Sequence, residues 1–126
     1  MTVTNTDPTA VKPEGGLSMS VIDRDRAEQI AGEWLEAFNA HRADLVVGPF
    51  ADDVTATSPM IARLRPGSEA HLVGKEAVLG FYQEGLWLVP VHFTLVEVLC
   101  GVDQITIVYR NQGETLVAET FTLRRR

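Results

Sequence analysis

The hydrophobic period of the chain changes from helical to extended after Pro90, and that switch restricts the fold more than any other feature. Before it, Ala27, Ile30, Ala31, Trp34, Leu35 and Phe38 recur at i, i+3, i+4 and i+7 spacing, which draws one apolar stripe along a helix. A second such stretch starts at Lys75, where Ala77, Val78, Phe81, Tyr82 and Leu86 share a face, and Pro90 ends it. Three β-rich runs follow, VHFTLVEVLCG, QITIVYRNQ and ETLVAETFTLR, separated by Gly-Val-Asp and Gln-Gly turns. Helices first and an antiparallel meander last predict an α+β domain with the helices laid on one sheet face.

Punctuation fills in the rest. Asp23 or Asp25 is placed to cap the first helix, and Asp25 to Glu28 has capping-box spacing. NAHRAD breaks that helix, and ADLVVGPF predicts a short second one stopped by Gly48-Pro49. In FADDVTATSPM, Asp52 and Asp53 follow a helix exit, where their side chains favour a turn. Val54, Ala56 and Ser58 then share one face of a short strand that Ser-Pro stops. ARLRPGSEAHLVG reads as a loop with a Pro-Gly turn. Residues 1–19, rich in Thr, Pro, Gly and Asn and without periodicity, read as a disordered tail, which leaves 20–126 as a single domain.

Composition excludes several function classes. A net charge of −6 and a pI near 4.9 argue against nucleic acid as a partner, and Arg124, Arg125 and Arg126 read as a solvated terminus. Cys100 is the single cysteine, so no internal disulfide is available; its apolar run predicts a buried thiol. No apolar stretch approaches the roughly 18 residues of a membrane span. The N-terminus lacks a basic region followed by an apolar run, and cytoplasmic residence is the expectation. His41, His71 and His92 are too scattered for a metal site, and no phosphate loop or GxSxG elbow occurs, so no metal and no cofactor is expected.

WLEAFNAHRADLVVGPFADDVTATSP, LVGKEAVLGFY and GVDQITIVYRNQGETLVAETFTL together resemble the nuclear-transport-factor-2-like superfamily, most of all its SnoaL-like and ketosteroid-isomerase-like members. The likeness runs from about residue 24 to about residue 124. It implies a cone-shaped, curved antiparallel sheet wrapped around a long N-terminal helix (a cystatin-like roll), with an apolar pocket between them and a homodimer formed through the sheet. Such members close with one more strand than this sequence shows before Arg126, which leaves two expectations: the last strand is missing and the open sheet edge invites association, or the edge is completed by something else.

The resemblance and the residues together nominate a site. Glu119 stands in the row Thr115, Val117, Glu119, Phe121, Leu123, where an inward carboxyl would have its charged form disfavoured and serve as a poised acid or base. Pairing with Arg110 or Tyr109, or exposure to solvent, is the competing reading. Tyr109 continues the row of Ile105 and Ile107 and is the second catalytic candidate. Ser58 aligns with the proton-shuttling Asp of the isomerases, and a lone hydroxyl is no base at neutral pH. Trp34 aligns with their oxyanion-donating Tyr. Phe38, Phe81 and Phe121 complete the expected apolar wall, His71 sits in the loop expected at the mouth, and Arg63 and Arg65 flank it. Two functions remain open. One is a binder of a small hydrophobic organic molecule that performs cofactor-free isomerisation, cyclisation or dehydration. The other is a non-catalytic ligand-binding or dimerisation module.

Overall fold

The computed structural model describes residues 2–5 and 22–123. The long helix α1, Arg24–Asn39, starts where the Asp23 carboxylate accepts the Asp25 N–H at 3.1 Å. Asp23 is therefore the cap, while Glu28 pairs with Arg24 at 3.1 Å instead of closing a box on Asp25. The predicted stripe is the buried face: Ala27, Ala31, Trp34, Leu35 and Phe38 are all buried, with Ile30 packed beside them. Helix α2, Ala43–Val47, ends at Gly48, and a turn through the exposed Asp52 and Asp53 leads into the sheet, the Val54 N–H reaching the Ala51 carbonyl at 3.1 Å.

Among the described residues the sheet has six strands: β1 Thr2–Asn5, β2 Thr55–Thr57, β3 His71–Val73, β4 Thr94–Cys100, β5 Gln104–Arg110 and β6 Leu116–Leu123. Their order across it is β3-β2-β1-β6-β5-β4. β4, β5 and β6 form the predicted antiparallel meander, with Ile107 opposite both Val98 and Glu119. Helix α4, Lys75–Leu88, turns Val78, Phe81 and Tyr82 into the core, where the Tyr82 ring lies 5.3 Å from that of Phe38 on α1 and all three join the buried cluster that includes Ile105, Ile107 and Tyr109. Mixed helices over a largely antiparallel sheet make the α+β class. No helix among the described residues is long and apolar enough to cross a membrane.

Five local expectations need correction. Residues 2–5, expected in a disordered tail, form β1, which pairs in parallel with β6 and antiparallel with β2. Thr-Val-Thr is β-branched and suits a strand, but its partners lie more than 50 residues away, beyond the reach of local pattern. The rest of the expected tail, 6–19, lies outside the described residues. β1 also fills the edge of β6, so of the two expectations for that edge the open one fails and the completed one holds, with β6 paired on both sides. Ser58-Pro59 begins a helix rather than stopping the chain: Ser58 accepts the Met60 N–H at 3.1 Å and Pro59 opens α3, Pro59–Leu64. The loop expected over 62–74 likewise contains β3, paired with β2 through Ala56 and Leu72. Cys100 is exposed, because β4 is an edge strand that buries only Val98.

Candidate functional site

Between α1, α4 and the concave sheet face lies a cavity of about 540 Å³. That is ample for a small organic molecule. Phe38 of α1 and Phe81 and Tyr82 of α4 line one side, and Tyr109 of β5 and Glu119 of β6 line the other. Strand alternation explains why the last two share a wall: Tyr109 lies opposite Val117 and Glu119 opposite Ile107, so both point inward. Phe93, just before β4, closes a further side. Its backbone is held by Asn39 at the end of α1, whose amide donates to the Phe93 carbonyl at 2.9 Å and accepts its N–H at 2.7 Å. The Phe93 ring then packs 4.3 Å from that of Tyr109.

Glu119 is the buried acid of this cavity, 5% exposed, and the Tyr109 hydroxyl donates to its Oε1 at 3.1 Å. Burial in apolar surroundings pushes its carboxyl up to about 7, and the hydrogen bond from Tyr109 works against that rise by favouring the carboxylate. Tyr109 and Tyr82 are both raised, first by burial and then by the Glu119 charge, so their hydroxyls stay protonated as donors. An acid that titrates near neutrality can accept and return a proton at the same pH. Two phenols flank it.

Of the residues nominated from sequence, Glu119, Tyr109, Phe38, Phe81 and Ser58 line this one cavity. Ser58 Oγ, however, is engaged as the α3 cap. Trp34 and Phe121 line a different cavity, of about 380 Å³, on the other side of α1 with Pro49 and Phe50. None of the titratable residues there, Arg26, Glu33 and Glu36, is buried. Trp34 backs the first site instead: its ring lies 5.4 Å from Tyr109, and its buried indole N–H has no hydrogen-bond partner among the described residues. His71 is exposed in β3, paired with Thr57, and lines neither cavity, because the expected mouth loop is partly a strand.

Sequence reading passed over Tyr82 and Phe93. Tyr82 stood in an apolar helical stripe, where its hydroxyl was the available signal. Phe93 is placed by Asn39, 54 residues away, and carries no local signal. Among the described residues, no group of three or more His, Cys, Asp or Glu comes together to hold a metal ion.

A family model described as a SnoaL-like domain matches residues 31–125. The crystal structure of a SnoaL-like protein of unknown function from Burkholderia thailandensis aligns with a TM-score of 0.74 and 30% identity, covering 81% of this chain and 96% of that one. An NTF2-like protein of unknown function from Pseudomonas putida aligns with a TM-score of 0.48 and 16% identity, over 77% and 82% of the two chains. No curated protein matches the chain.

Proposed function

The chain belongs to the SnoaL-like domain family, a fold that hosts unrelated chemistries, and we propose that this member binds a small, largely apolar organic molecule and moves a proton on it without a cofactor. The observation that carries the reading is Glu119: a buried carboxyl, pushed up to about 7, lining a cavity walled by Phe38 and Phe81. In its ionised form Glu119 removes a proton from carbon next to a ligand carbonyl, and the resulting acid returns that proton at another position. Isomerisation, cyclisation and dehydration all share this step. Tyr109, kept protonated, donates either to Glu119 or to the ligand oxygen on which negative charge develops. The protein acts as a homodimer through the outer face of the sheet and resides in the cytoplasm.

A test that needs no knowledge of the natural substrate is solvent exchange. A panel of bulky cyclic ketones incubated in D₂O should take up deuterium at carbon next to the carbonyl with the wild type, and at least 100-fold more slowly with Glu119→Gln. Equal uptake with both proteins would remove Glu119 as the base.

The second reading is a binding module without chemistry, favoured by Ser58. The position where the isomerase-like members are implied to hold a base carries instead a hydroxyl tied to the α3 backbone. Ketones that bind with micromolar affinity and gain no deuterium would establish it.

A further inference from the structure

The lining of the Glu119 cavity is asymmetric in charge. Among the described residues that line it, only two are charged types, Glu119 at the floor and Arg63 of α3 at the solvent side. Arg63 is exposed and makes no ion pair among the described residues, whereas Arg65, two residues on, is bound by Glu84. The β5–β6 turn contributes two amides, Asn111 and Gln112, to the same cavity. The Asn111 oxygen is taken by the N–H groups of Gly113 and Thr115, at 2.9 and 3.0 Å, which leaves its NH₂ group to face a ligand. The rim therefore offers a guanidinium and an amide N–H, donors that match a carboxylate. On a chain of net charge −6, long-range attraction brings no anion here, so such a cationic rim acts through contact.

From this juxtaposition we propose that the ligand is an amphipathic organic acid, its carboxylate held at the rim by Arg63 and Asn111 and its apolar body running inward to Glu119. The inference rests on the cavity being the binding site. It adds the ligand class and makes Arg63 a specificity-determining residue.

The probes are cis-parinaric acid and its methyl ester, which share one apolar body and differ in the head group. Each is titrated by fluorescence into the wild type, Arg63→Gln and Arg63→Glu, with circular dichroism to establish that all three proteins fold alike. The wild type should bind the acid about tenfold more tightly than the ester. Arg63→Gln should abolish that preference while leaving ester affinity unchanged, and Arg63→Glu should reverse it. Equal affinities in the wild type, or a preference that survives both substitutions, would overturn the assignment of an acid while leaving the cavity as the site. If neither probe binds any of the proteins, the cavity reading falls and this ligand class falls with it.

Discussion

The Tyr109 hydroxyl donates to Glu119 Oε1 across 3.1 Å, a contact made diagonally on the inner face of two neighbouring strands. The register puts Val117 opposite Tyr109, so the phenol must lean along the strand by one inward step to reach the carboxylate. This hydrogen bond favours the ionised acid and opposes the effect of burial. Tyr109→Phe should therefore move the Glu119 titration further up from about 7, and cost about 1 kcal/mol in stability. Carbon-13 NMR of the Glu119 carboxyl reads the midpoint directly; a midpoint that stays put would mean the hydroxyl leaves the carboxylate unaffected.

Glu119 also ties stability to pH, with a definite sign. Its ordinary value is 4.5 and its folded value is about 7. Between those values the unfolded chain has released the proton while the folded protein keeps it. Raising the pH through this window therefore lowers stability, with the full penalty present above 7. Between pH 5 and pH 8 the wild type should lose on the order of 2 kcal/mol more than Glu119→Gln, by the conversion of about 1.4 kcal/mol per pH unit. Urea unfolding of both proteins at the two pH values measures the difference. Parallel losses would place Glu119 in an ordinary solvated setting.

Asn39 holds the wall behind Tyr109. Its two hydrogen bonds to the Phe93 backbone join the end of α1 to the approach of β4. Asn39→Ala removes both, and because the group is exposed the cost should be modest, about 1 kcal/mol. The larger consequence is positional: the Phe93 ring, 4.3 Å from Tyr109, loses its anchor. Weaker binding of apolar ketones with little change in melting temperature is the expected outcome. Unchanged affinity would show that ring packing alone places Phe93.

Much of this site was legible because alternation in a strand fixes direction. Once Ile105 and Ile107 point inward, Tyr109 must follow, and Glu119 follows from Val117 and Phe121 in the same way. The stripe on α1 was equally plain, but a helix stripe does not say which cavity each residue faces. Phe38 reaches one cavity, and Trp34, one turn earlier, reaches the other. β1 was hidden because its strength lies in pairing with Thr120 to Leu123, a contact no local window contains. Ser58 carried a readable helix-cap signal, with Pro59 at the first helical position, that competed with an equally readable turn signal.

The outer face of the sheet offers a surface for a second copy of the chain. With Ile105, Ile107 and Tyr109 turned inward, Thr106, Val108 and Arg110 turn outward, and the register adds Leu99 beside Thr106 and Leu116 beside Arg110. Leu99 and Leu116 are 51% and 55% exposed. Two leucines that share this face with Thr106, Val108, Ala118 and Arg110 give an apolar surface that a second copy can cover, and a stable dimer needs roughly 800 Å² from each partner. Replacing both with glutamate would set like charges opposite one another across a two-fold axis, where burial of each is costly. Light scattering at micromolar concentration should show a dimer for the wild type and a monomer for Leu99→Glu/Leu116→Glu, with dissociation at least about tenfold easier. A double variant that stays dimeric would move the contact off this face, and the exposed edge of β4 would be the next surface to substitute.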